Sequence, residues 1–415
     1  MTQTGERAAY GPRVFALAED GLPTAAPRQM GPNCMRYLQE VVDSGLTSDM
    51  VQRFEEAFGR EMGVKHCIAT PGCTPALSVL AAAFDFEPGD EIIVSSVTDF
   101  GTLHGLIKEN FIPVFADTEA GTINISAATI EPCISARTRA ILVVHMTGLI
   151  CDMDPILELA ARHGLVVYED ACQSVFGQYK GRYPGTMGTA GAFSFDAEKT
   201  LGSDVGGCVI TDDDALAERM RFVGQSRGGE MVPHFGRSHT VNGFAYRMTL
   251  STAAITLAQL EVIRPQVAQR DRMVRLLSAG LATIPGIQPL PIPDYVEVYS
   301  CWMVGFNIDP EAFTCSAEDF AAQVLEEGIP GAGQGKYYLM PAGLKFLQDA
   351  AAGQRYPYSQ PPASRSYHYS ADNCPRARDF LETFIRWSSF CEKYQEEHCE
   401  LAVQMVRNVA ARNRV

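Results

Sequence analysis

An α/β fold on a mainly parallel sheet, with a smaller C-terminal unit, is predicted by three features of the sequence. Short β-branched apolar segments recur up to about residue 210, helical segments separate several of them, and the texture changes after Arg264. The strand segments are 66–69, 91–94, 112–115, 140–144, 165–168, 192–195 and 208–210. A helix over 34–45 comes first, followed by one over 49–58 with Val51, Phe54 and Phe58 on one face. The turn Pro71-Gly72-Cys73-Thr74 opens an apolar helix over 76–84, and another helix covers 154–163. A long helix is expected over 251–275, kinked at Pro265, whose missing N–H breaks the hydrogen-bond ladder.

The division follows from that helix. Residues 1–265 are expected to form an N-terminal arm and a large α/β domain, and residues 266–415 a small C-terminal domain. The first twenty residues, rich in Gly, Thr and Arg, read as a poorly ordered arm. Within the small domain, 302–307 reads as a strand, 375–411 as helical, and 349–373 as a long surface loop.

Composition bounds the function. With 46% hydrophobic and 20% charged residues in 415, the chain can bury a large core. A net charge of -15 repels nucleic acid and anionic membranes, so neither is expected as a partner. No apolar run is long enough to span a bilayer. The twelve cysteines are scattered without a Cys-x-x-Cys, which reads as reduced thiols in a cytoplasmic protein.

Lys199 carries the chemistry. It follows a strand too apolar to lie at the surface, and an acidic strand end, Glu169-Asp170, precedes it. A lysine and a carboxylate so placed are what pyridoxal phosphate (PLP) chemistry needs: an amine for a Schiff base and an anion for the pyridinium nitrogen. Asp170 lies at the carboxyl end of a strand, where open α/β sheets place their ligands. Glu169 is its rival, and alternation allows only one of the two to face the site. An acidic pair after a strand also serves as a helix N-cap. The turn before Thr74 offers free N–H groups and a hydroxyl to a phosphate, or a plain N-cap. Ser194 points opposite to Phe193 and Phe195, toward a phosphate or a polar niche.

Other motifs fail on spacing. The stretch 331–336 resembles a nucleotide loop, but Pro330 stands where glycine is required and Tyr337 where Ser or Thr is required. The glycines of 185–191 have the wrong spacing for a dinucleotide fingerprint. His234 and His239 have no Glu or Cys at ligand spacing, so no metal is expected.

Together the motifs resemble a family. Glu169-Asp170-Ala171-Cys172-Gln173 is followed by Tyr179-Lys180-Gly181-Arg182, Gly185-Thr186-Met187-Gly188, Phe193-Ser194-Phe195 and Lys199. With Thr74-Pro75-Ala76-Leu77, the segments 88–94, 144–148 and 152–155, Tyr246-Arg247-Met248 and 253–260, this order resembles the DegT/DnrJ/EryC1/StrS aminotransferases. These are PLP enzymes that aminate keto sugars and cyclitols, and the likeness covers roughly residues 28 to 410.

The resemblance implies an aspartate-aminotransferase-type fold and active sites shared across a homodimer. Lys199 would form the Schiff base and shuttle the proton, Asp170 would pair with the pyridinium nitrogen, and Gln173 would lie near the phenolic oxygen. Thr74 and Ser194, with the N–H groups of Cys73 and Thr74, would hold the phosphate. The segment 242–247 would reach the partner's site. Four departures stand out. Cys73 replaces a glycine, Ala245 replaces an asparagine that Asn242 would stand in for, and Ser203 replaces a glycine. Asp99 takes the place of the aromatic that stacks on the ring, leaving Phe100 as the local aromatic for the cofactor. Lys336, Tyr337, Tyr338, Arg227 and the loop near Arg355 are candidates to grip substrate. The implied reaction is amination of a nucleotide-linked keto sugar or a keto-cyclitol, with glutamate or glutamine as donor. Alternatives keep PLP for dehydration or aromatisation, or make the chain a non-catalytic regulatory protein.

Overall fold

The computed structural model describes residues 21–363 and 365–415; the expected N-terminal arm lies outside them. The seven strands expected before residue 211 join one sheet, in the order His66–Thr70, Gly207–Thr211, Ala190–Ser194, Val166–Asp170, Thr138–Val144, Glu91–Ser95, Ile112–Ala116. The last five run parallel, and Gly207–Thr211 is antiparallel to both of its neighbours. The register gathers the functional strand ends at one edge. Gly207 pairs with both Thr70 and Ser194, and Asp170 pairs with Ala192 on the same strand as Ser194.

Helices cover both faces. Cys73–Ala83 is apolar almost all round and buries Ala76, Leu77, Val79 and Leu80, as expected of a helix enclosed on every side. On the opposite face, Phe54 and Phe58 of the helix Met50–Met62 meet Phe193 and Phe195 edge-on, with centroids 5.2 to 5.5 Å apart. All four rings are fully buried, and truncating any one costs about 3–5 kcal/mol. That cluster fixes the strand that leads to Lys199.

The C-terminal half departs from expectation in three places. The helix expected over 251–275 is two helices, Leu250–Leu260 and Ile263–Leu281. Pro265 is the third residue of the second, where the amide has no intrahelical acceptor to lose, so the break falls before it rather than at it. The helical reading of 375–411 is interrupted by a strand. Pro375–Thr383 gives way to Phe384–Trp387 before Glu396–Arg412 begins. Burial of Phe384, Ile385 and Trp387 in the four-stranded antiparallel sheet Ile287–Pro289, Val304–Ile308, Phe384–Trp387, Ala332–Gln334 outweighs the helical pattern of the flanks.

The stretch 349–373 begins inside the helix Lys345–Ala352 and is otherwise irregular up to a short 3-10 turn at Ala371–Asn373. It is pinned to the sheet: the fully buried Glu91 accepts two hydrogen bonds from Arg365, at 2.9 and 2.8 Å, and one from the Tyr367 hydroxyl at 2.6 Å. The Tyr369 hydroxyl donates to the carbonyl of Pro113.

Candidate active site

A cavity of about 450 Å³ opens between the sheet edge and the C-terminal sheet. Thr74, Asp170, Ser194 and Lys199 line it from one side, Trp302 and Arg386 from the other.

Strand alternation separates the acidic pair. Glu169 turns away, receiving the N–H groups of Gly185, Met187 and Gly188 at 2.7 to 2.8 Å and lying 2.9 Å from His145 Nε2. His145 Nδ1 accepts the Cys151 N–H, which leaves the proton on Nε2, facing Glu169. Asp170 faces the cavity while only 2% exposed. It accepts from the Thr102 hydroxyl (2.7 Å) and the Cys172 N–H (3.2 Å), with the Cys73 thiol at 3.8 Å. Thr98 donates in turn to Thr102. Among the described residues no cation pairs with Asp170, so a buried carboxylate is left facing a cavity without the positive partner that burial calls for.

Cys73 opens the helix Cys73–Ala83, and the amides of Cys73 and Thr74 are among the four that a helix cannot bond internally. Its φ is not positive, so the side chain that replaces the expected glycine sits on ordinary helical backbone. The Cys172 thiol, burial and the Asp170 carboxylate push the Cys73 thiol well above its ordinary range. Two glycines allow close packing here. A Cβ on Gly101 would lie 2.5 Å from Thr74 Oγ1, and one on Gly207 would lie 2.4 Å from the Gly72 carbonyl carbon.

Lys199 is half-buried, with its Nζ 3.9 Å from the centre of the Trp302 ring. Its loop is clamped by Arg28, which donates to the carbonyls of Ala197, Lys199 and Thr200. Trp302 Nε1 donates to the carbonyl of Glu198, tying the small sheet's entry to the same loop. Gln173 also faces the cavity, its Oε1 accepting the Thr147 N–H at 2.5 Å.

Two expected residues are not brought to the cavity. Asp99 caps the helix Phe100–Lys108 by accepting the Gly101 N–H, and it is Asp99 that lines the cavity. One residue on, the helical rotation of about 100° turns Phe100 outward, where it is 41% exposed against His104 and Phe346. Asn242 is exposed and outside its own chain's cavity, as are Ala245 and Arg247. Of the substrate candidates, Tyr337 and Tyr338 line the cavity, whereas Lys336 turns to Glu382. Arg227 and Arg355 do not line it. Sequence reasoning missed Thr102, Trp302 and Arg386. Trp302 was signalled by its place at the start of a strand, while nothing local marks the other two.

A lysine, a buried acid without its cation and an open helix N-terminus around one cavity are the fittings of a PLP enzyme. Residues 29–372 match the model of the DegT/DnrJ/EryC1/StrS aminotransferase family, and the chain belongs to that family. It is 40% identical over 266 residues to a GDP-perosamine synthase of Caulobacter vibrioides, covering 63% of this chain and 71% of that protein. A putative L-glutamine:3-amino-2,3-dideoxy-scyllo-inosose aminotransferase of Micromonospora echinospora is 29% identical over 359 residues, covering 84% and 80%. The fold matches that of a 3-amino-5-hydroxybenzoic acid synthase with a TM-score of 0.80 at 22% identity, over 94% of this chain and all of that one. The enzyme is an aminotransferase with PLP as cofactor, which sets aside the regulatory reading. Among the described residues, no helix is long and apolar enough to cross a membrane.

Proposed function

We propose that this enzyme transfers the amino group of glutamate or glutamine to the keto group of a nucleotide-linked sugar, in the biosynthesis of secondary metabolites or cell-surface sugars. The observation that carries the reading is the convergence of Lys199 and Asp170 on one cavity. The relative named as a GDP-perosamine synthase supports a nucleotide-linked substrate. The relative named for scyllo-inosose supports a keto-cyclitol as second reading, since the likeness to it runs over more of the chain.

Bound PLP supplies an aldehyde that captures amines and a ring that takes up electrons as a Cα proton leaves. Lys199 Nζ would take that Cα proton as base and give it up again as acid, so one amine would serve both roles in each half-reaction. Asp170 would keep a proton on the ring nitrogen, a role suited to a buried carboxylate without a cation of its own. Thr74, Ser194 and the N–H groups of Cys73 and Thr74 would hold the phosphate, and Gln173 would orient the ring's phenolic oxygen.

The working unit is a homodimer in the cytoplasm. Met35, Val42 and Leu46 on and just beyond the helix Cys34–Asp43, with Met231 and Phe235 near the hairpin Gly229–Val232 and Gly236–His239, are exposed apolar groups that a second copy would cover. Asn242, close to that hairpin, would then approach the partner's phosphate.

Incubating the purified protein with PLP, glutamate and a panel of nucleotide-linked keto sugars and keto-cyclitols tests the reading by product mass. Amination of a nucleotide-linked sugar supports it, and amination of a cyclitol alone favours the second reading. If no amino acid converts the bound cofactor to its amine form, transamination is wrong.

A further inference from the structure

Cys73, Cys172 and Asp170 converge on one part of the cavity wall. Cys73 is the first residue of the helix Cys73–Ala83, and Cys172 follows the end of the strand Val166–Asp170 by two residues. Their sulfurs and a carboxylate oxygen of Asp170 all lie within 4.8 Å of one another, and Cys73 Sγ is 3.8 Å from Asp170 Oδ1. Among the described residues no other group of three His, Cys, Asp or Glu side chains is gathered in this way. Both thiols are half-buried and open to the cavity, whereas Cys67 and Cys208, on neighbouring strands, are buried.

The three donors suit a soft or borderline divalent cation. A tetrahedral zinc site holds thiolate sulfur at about 2.3 Å and carboxylate oxygen at about 2.0–2.2 Å, which sets ligand atoms about 3.5–3.8 Å apart. The separation between Cys73 and Asp170 already has that value, and rotation about the Cα–Cβ bonds of the cysteines is what closing the other separations takes. Thr102 donates to Asp170 Oδ2 at 2.7 Å and fixes the carboxylate, as the outer hydrogen-bond partners of metal ligands do. Cys73 stands at the positive end of its helix, which favours its thiolate. Two sulfurs select a thiophilic cation over Mg²⁺ or Ca²⁺, and three protein ligands leave a fourth position to water from the cavity.

We propose that in the cofactor-free enzyme Cys73, Cys172 and Asp170 bind one thiophilic divalent cation of the zinc type, and that this cation and PLP exclude each other. Binding releases the two thiol protons to solvent and changes no oxidation state. Exclusion follows because one carboxylate, that of Asp170, would serve both the cation and the ring nitrogen. The inference rests on the cofactor placement proposed above and adds to it a metal-sensitive control of cofactor loading.

The test uses the full chain freed of PLP, with Co²⁺ and Zn²⁺ as probes. Co²⁺ should bind at one per chain with thiolate-to-metal charge-transfer absorbance, and Zn²⁺ should remove that absorbance. Cys73→Ala and Cys172→Ala should each weaken Co²⁺ binding by at least about 10- to 100-fold, the cost of losing even an outer partner of a metal site. Circular dichroism and thermal unfolding show that each variant is folded, and either one alone suffices for the comparison. Zn²⁺ added first should block the recovery of PLP absorbance, and a chelator should restore it. Cys172→Ala should take up PLP in the presence of Zn²⁺. Absence of thiolate-to-metal absorbance, equal Co²⁺ binding in the parent and the variants, or PLP uptake indifferent to bound Zn²⁺ overturns the proposal. A chain that takes up no PLP even when no metal is present overturns the cofactor placement itself, a result distinct from failure of metal binding.

Discussion

The ammonium of Lys199 rests 3.9 Å from the centre of the Trp302 ring, so the predicted Schiff-base amine of the large sheet is held by an aromatic from the entry to the small one. The same indole donates through Nε1 to the carbonyl of Glu198, one residue before the lysine. Cation and loop are positioned by a single side chain. A cation–π contact of this kind contributes about 0.5–2 kcal/mol. Trp302→Leu should therefore lower turnover about tenfold, and Trp302→Phe, which keeps a ring face, should lower it less. Steady-state rates of the two variants check this, and equal rates in both would remove the ring from the mechanism.

Asp170→Asn keeps the shape of the side chain and removes its charge. The amide oxygen can still accept the Cys172 N–H, and the NH2 group in place of Oδ2 can donate to the Thr102 hydroxyl, so the fold should survive. Turnover should fall by about 100- to 1000-fold, the usual cost of removing a preorganised electrostatic group. Glu169→Gln is the contrasting variant. Glu169 accepts three backbone N–H groups and faces His145 away from the cavity, so its loss should show in thermal stability before it shows in the chemistry.

The two cavity thiols report on the cofactor's place. Cys73 Sγ lies 3.8 Å from Asp170 Oδ1, and Cys172 lines the same cavity. Because the Cys73 thiol is shifted upward by Cys172, burial and Asp170, little of it is thiolate at neutral pH. Its alkylation by iodoacetamide should be slow at pH 7 and should keep accelerating as pH rises past the ordinary thiol range. Adding PLP should slow the labelling of both Cys73 and Cys172, read by peptide mass. Labelling indifferent to PLP would place the cofactor elsewhere.

The clasp between Arg365 and Glu91 bears on stability. Arg365→Ala removes two hydrogen bonds from a fully buried carboxylate and leaves Tyr367, Ser135 and Thr138 as its donors. The expected loss is roughly 1–3 kcal/mol in urea unfolding, accompanied by faster proteolysis within 349–373.

Much of the site was legible because it depends on local rules. The seven strands read as β-branched runs, the choice between Glu169 and Asp170 came down to alternation, and the turn before Thr74 announced a helix start. What escaped depends on long-range packing. Residues 384–387 lie between two helical segments, and only the neighbouring strands make them a strand, so Arg386 was hidden inside an expected helix. Phe100 was assigned to the cofactor as the local aromatic, but one step of helical rotation gives the cavity wall to Asp99. Pro265 suggested a kink, whereas a first-turn position accommodates proline without one.

The central claim, that Lys199 is the residue that carries the cofactor, is tested most directly by borohydride reduction of the PLP-loaded protein followed by peptide mass spectrometry. The account predicts one phosphopyridoxyl group per chain, located on Lys199 and absent from Lys199→Ala. A label on another lysine, or no label in a protein that binds the cofactor, would contradict it.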